Sequence, residues 1–90
     1  MARRRRLAPV GIAQHIIQRG NDRQKVFASD ADVAAYANWL YEGAKKYDVK
    51  IHAWVFMTNH VHLLATPGKE RSVSAMMQFL GRYYVRYFNA

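Results

Sequence analysis

An α+β fold with one antiparallel sheet follows from three observations on this chain of 90 residues. Segments 12–18, 49–57 and 60–66 alternate apolar and polar residues or concentrate β-branched and aromatic ones, as strands do. Segments 30–47 and 72 onward instead repeat apolar residues at three- and four-residue steps, the spacing of an amphipathic helix. Their order is β, α, β, β, α, with only Thr58 and Asn59 between the two consecutive strands.

In the first strand Ile12, Gln14, Ile16 and Gln18 alternate with Ala13, His15 and Ile17, and Arg19-Gly20-Asn21-Asp22 supplies the turn chemistry that ends it. Ser29 and Asp30 are placed to cap a helix from Asp30 to Tyr47, with Val33, Tyr36, Ala37, Leu40, Tyr41, Ala44 and Tyr47 on its apolar face. Val49 to Met57 is apolar on both faces beyond Lys50 and His52, the pattern of a central, covered strand. The short Thr58-Asn59 link makes it one arm of a hairpin whose other arm, His60 to Thr66, stops at Pro67-Gly68. Ser72 caps a second helix with Val73, Met76, Met77, Leu80, Tyr84, Tyr87 and Phe88 on one stripe and Gln78, Arg82 and Arg86 away from it. The predicted architecture is a ferredoxin-like βαββα sandwich with both helices on one face of the sheet. The second helix is still amphipathic at the last residue, so a single domain spanning 1–90 and cut short of its closing elements is expected.

Composition narrows the function. The chain has no cysteine, which excludes disulfides and cysteine-based metal sites and suits a reducing cytoplasm. Hydrophobic residues make up 51%, enough to fold rather than remain disordered. The net charge is +8, a field that favours a polyanionic partner, nucleic acid first. Arg3, Arg4, Arg5, Arg6, Arg19, Arg23 and Lys25 crowd the first quarter against one acid, Asp22, so residues 1–10 read as a basic arm. Leu7 to Ile12 is too short and too interrupted by Pro9 and Gly11 to be a signal-peptide core, and no run reaches membrane-spanning length. A soluble, cytoplasmic protein is expected.

Asn59-His60-Val61-His62-Leu63-Leu64 carries the candidate chemistry. Side chains alternate along a strand, so His60 and His62 share one face, roughly 6–7 Å apart at Cβ, within reach of one divalent ion. Two histidines alone equally suit the solvent face of a half-buried strand. On an ideal strand Asn59 points to the opposite face. His15 and His52 read as sheet-surface histidines, able to approach the pair only if strand order allows.

Three stretches together resemble one family: Gln18-Arg19-Gly20-Asn21-Asp22-Arg23 after an early strand, Ala53 through Leu64, and Phe79-Leu80-Gly81-Arg82-Tyr83-Tyr84-Val85-Arg86-Tyr87-Phe88-Asn89. They resemble the single-tyrosine HUH transposases, particularly the bacterial transposase-like proteins associated with repetitive extragenic palindromes. The resemblance implies DNA transposition and recombination on single-stranded or hairpin DNA by a homodimer. His60 and His62 then hold Mg²⁺ or Mn²⁺ against the scissile phosphate, which is polarised there. A tyrosine attacks, conserving the bond energy in a phosphotyrosine that a strand end later reverses. Phosphate oxygens, waters and a further side chain are needed to complete the metal's shell.

In that family the attacking tyrosine lies on a helix further downstream than this chain extends, so the catalytic residue is left unassigned. Tyr84 and Tyr87 fit the core stripe, and Tyr83 lies off it, where a base could stack. Trp39 and Trp54 read as core. Phosphate contacts fall to the arm, Arg19, Arg23 and Lys25, with Arg82 and Arg86 as a second stripe one turn apart. Two other readings stay open: a catalytically inactive DNA-binding remnant, and an RNA-binding ferredoxin-like module. The chain lacks the Gly-aromatic-Gly signature of the latter.

Overall fold

The computed structural model describes residues 9–20 and 25–89. Arg3, Arg4, Arg5, Arg6 and Arg23 lie outside the described residues, as does nearly all of the basic arm. The elements are β1 (Gln14–Arg19), α1 (Asp30–Tyr47), β2 (Val49–Met57), β3 (His60–Pro67) and α2 (Ser72–Phe88). Among the described residues the sheet has three strands in the order β1-β3-β2, antiparallel throughout. The α+β, βαββα architecture read from the sequence is the one observed.

Helix α1 has the bounds its periodicity predicts because both ends are chemically marked. The Ser29 hydroxyl accepts from Asp32 N at 3.2 Å, Asp30 and Asp32 occupy the positive end, and Lys45 and Lys46 the negative end. Asp48 closes the helix in the left-handed region, at φ 60°, and the chain enters β2 at the next residue. The carbonyl of Asp48 accepts from Gly68 N at 2.8 Å, and a Cβ on Gly68 would stand 2.8 Å from that oxygen. Only glycine fits there.

Helix α2 departs from expectation at its start. Ser72 is the first helical residue, not the cap; Arg71 precedes it at φ 70° and makes no capping bond. The Ser72 hydroxyl instead accepts from Lys69 N at 3.1 Å, closing the turn before the helix.

The two helices cover one sheet face. Val61, Leu63 and Ala65 of β3 are buried against Tyr36, Leu40 and Ala44 of α1 and Met76, Leu80 and Tyr84 of α2. The helices approach closely at Gly43, where a Cβ would lie 3.0 Å from the Phe79 ring. Tyr41, expected on this face, is exposed, with Lys45 Nζ 5.2 Å from its ring centroid.

Strand β2 lies at the edge of the sheet, not at its centre. Its two-sided apolar pattern has another cause, a bulge between Ile51 and Ala53. Before the bulge Val49 and Ile51 share the parity of the buried Pro67 and Ala65; after it Trp54 and Phe56 share that of Leu63 and Val61. One inserted residue exchanges the faces, so apolar residues of both parities are needed. At the edge, Trp54 keeps 58% exposure and is not core. Among the described residues no helix is long and apolar enough to cross a membrane.

Candidate metal centre on the open sheet face

With the helices on one side, the other face of the sheet carries the histidines. His62 stands between Ile17 of β1 and Val55 of β2, and His60 between Arg19 and Met57. Directly opposed residues share a face, so Arg19, His60 and His62 project together from an apolar surround of Ile17, Val55, Met57 and Leu64. The hairpin that begins β3 is held from outside the sheet. Val26 N and Phe27 N donate to Thr58 O at 2.7 and 3.2 Å, and Gly20 N donates to Asn59 O at 3.0 Å. The hydroxyl of Tyr84 donates to Val26 O at 2.6 Å, tying this clamp to α2.

The rings of His60 and His62 have centroids 4.8 Å apart. A metal–nitrogen bond of about 2.1 Å, added to the ring radius, allows two rings sharing an ion to stand as much as about 6 Å apart. The separation of the pair falls within that reach. His60 Nδ1 bonds Asn59 Oδ1 at 2.8 Å, and His62 Nδ1 lies 3.0 Å from His15 Nε2, so each ring engages Nδ1 internally and keeps Nε2. His62 is also held below the usual histidine range, first by desolvation and then by His60, His15 and Arg19, which favours the neutral, lone-pair form a metal requires. Among the described residues no group of three or more His, Cys, Asp or Glu side chains converges on a point that could hold a metal ion. Among the described residues, the site offers the two histidine nitrogens.

Sequence reasoning missed two members of this site. Asn59 belongs to the hairpin turn and not to an ideal strand, and its side chain folds back onto His60. His15 reaches His62 because β1 pairs directly with β3. Its shared parity with Ile17 and Arg19 was the available signal, but parity alone does not give strand order. His52 remains a surface histidine, bonded to Thr66 Oγ1 at 2.7 Å from within the bulge.

The predicted phosphate contacts divide. Arg19 is exposed beside His60, and together with Lys25 it lines a cleft of about 220 Å³ that extends to the end of α2. Arg82 and Arg86 are exposed on α2, in the helical layer across the sheet from the histidines.

All six tyrosines lie on α1 and α2, away from the histidine face. Tyr36 donates to Gln18 Oε1, Tyr84 to Val26 O and Tyr87 to Asp32 Oδ1. Burial raises the Tyr36 and Tyr84 hydroxyls above the usual tyrosine range, and the bond to Asp32 raises Tyr87. Tyr83 stacks on Trp39, with centroids 6.1 Å apart and planes 20° apart. The hydroxyls of Tyr36, Tyr84 and Tyr87 are thus each engaged in a hydrogen bond.

A family model described as "Transposase IS200 like" matches residues 10–90. The chain belongs to this family. IS200-like transposases are single-tyrosine HUH proteins, generally metal-dependent, whose partner is DNA. His60-Val61-His62 on β3 lies within the matched residues. Comparison with curated proteins and with solved structures gave no match.

Proposed function

We propose that this chain binds single-stranded or hairpin DNA and holds Mg²⁺ or Mn²⁺ through His60 and His62 during strand cleavage and rejoining through a phosphotyrosine. The observation that carries the reading is the ring pair on the open face, each Nδ1 engaged within the protein and each Nε2 left for a cation. The metal, when bound, supplies charge neutralisation and polarisation at the scissile phosphate. Arg19 contributes a positive charge next to His60, suited to a phosphate oxygen of the same nucleotide. Ile17, Val55 and Met57 border the pair on the same face.

The attacking hydroxyl is not one of this chain's six tyrosines. Their position across the sheet supports a division of labour in which the chain grips DNA and cation while the nucleophile comes from elsewhere. DNA grip is shared by Arg3, Arg4, Arg5, Arg6, Arg19, Arg23 and Lys25, with Arg82 and Arg86 forming a separate contact on the helical layer. The chain works as a single domain over 1–90, as a homodimer and in the bacterial cytoplasm. Uncovered apolar residues around the histidines and the open sheet edges favour self-association.

The test is incubation of the purified chain with labelled hairpin DNA and Mn²⁺, followed by a denaturing gel. DNA binding without a covalent adduct is expected, and the double variant His60→Ala/His62→Ala should lose Mn²⁺ binding while keeping hairpin binding within about threefold. An adduct that disappears in one tyrosine variant would overturn the assignment of the nucleophile. Equal loss of metal and DNA binding in the histidine variant would overturn the division of labour. A second reading, an inert DNA-binding protein, is favoured by the placement of the tyrosines; it predicts no cleavage under any pairing of copies or partners.

A further inference from the structure

We propose that His15 is a positioning residue that sets the tautomer of His62; this rests on the reading of His60 and His62 as metal ligands. His15 is paired with Leu64, and Ile17 with His62, so His15 and His62 are diagonal neighbours on one face. Their rings lie edge to edge and nearly coplanar, with centroids 5.2 Å apart and planes 16° apart, and His15 Nε2 stands 3.0 Å from His62 Nδ1.

Two neutral imidazoles can share that bond in two ways. If His15 Nε2–H donates, His62 carries its proton on Nε2 and has no outward lone pair. If His62 Nδ1–H donates to His15 Nε2, the His15 proton sits on Nδ1 and His62 Nε2 is free for a cation. Passing from the first arrangement to the second moves one proton from His15 to His62 across the bond. His62 Nε2–H then gives a proton to water and His15 Nδ1 takes one, with no net change in charge. His60 has no such choice, because the amide oxygen of Asn59 only accepts, which fixes His60 as Nδ1–H. His60 is thus a permanently prepared ligand, whereas His62 is prepared by the acceptor that His15 presents. Partners of this kind behind a ligand histidine fix ring orientation and basicity.

The experiment compares the full chain with His15→Ala, His15→Phe and His15→Gln, each checked for its circular-dichroism melt. Mn²⁺ affinity is read by calorimetry, and ring tautomers by ¹⁵N NMR with diamagnetic Mg²⁺. Phenylalanine keeps a planar ring beside His62 and loses the acceptor; glutamine loses the ring and keeps an accepting oxygen. We expect H15A and H15F to weaken Mn²⁺ binding by about tenfold or more, and H15Q to recover most of the loss. Mg²⁺ should drive His62 to the Nδ1–H form in the unaltered chain but not in H15F at the same concentration. Unaltered affinity in H15F, or rescue by H15F and not by H15Q, overturns the role of His15. If His62→Ala itself binds Mn²⁺ normally, it is the underlying ligand assignment that fails.

Discussion

At the scale of single residues, the protein divides its polar groups between chemistry and support. Asp32 belongs to the second kind. Its carboxylate accepts from Ala28 N at 2.8 Å and from the Tyr87 hydroxyl at 2.8 Å, joining the start of α1 to the end of α2. The bond from Ala28, then that from Tyr87, holds its carboxyl below the usual carboxylate range. A group whose folded value is depressed stabilises the fold fully above its unfolded value and loses that contribution as pH falls through the folded one. Asp32→Asn should therefore melt below the unaltered protein at pH 7, with the gap closing in acid below the usual aspartate range. A gap independent of pH, followed by thermal melts, would show that the contacts and not the charge matter. The histidine pair was legible at this scale because strand alternation is a property of the local chain. His15 and Asn59 were not, since one depends on which strand lies beside β3 and the other on a turn residue folding back.

At the scale of elements, the connections are tighter than the elements they join. Helix α1 passes into β2 through a single left-handed residue, Asp48, and the chain leaves β3 at Gly68 against the same residue. A methyl group at position 68 would stand 2.1 Å from Asp48 Oδ2 and 2.8 Å from its carbonyl oxygen. The side chain can swing away, but the carbonyl cannot. Gly68→Ala should cost about 1–3 kcal/mol, measured by denaturant unfolding, and Asp48→Gly in the same background should not restore it. The limits of α1 were readable because Ser29, the two aspartates and the two lysines mark its ends in the chain itself. The place of β2 was misread for a physical reason: a bulge reproduces the two-faced apolar pattern of a covered strand while the strand sits at the edge. Trp54 was misread with it.

At the scale of the whole molecule, the sheet separates two jobs. The helical side supplies burial, and the open side supplies two nitrogens and Arg19. Charge links them, because +8 is carried by both layers and by the segment before β1. Affinity for single-stranded DNA should fall with salt at a slope of about −0.7 per phosphate neutralised. Replacing Arg3, Arg4, Arg5 and Arg6 with alanine should flatten that slope, and Arg82→Ala/Arg86→Ala should flatten it while leaving Mn²⁺ affinity unchanged. Filter binding across a salt series reads both. Affinity that ignores salt would remove the electrostatic account of DNA binding.

The central position of β3 has a further meaning for endurance under heat. Its backbone is bonded to β1 on one side and β2 on the other, so its amides should exchange with solvent mainly when the sheet as a whole opens. The histidines ride on the segment that should come apart last. Loss of the cation-binding face and loss of the fold should therefore be one thermal event.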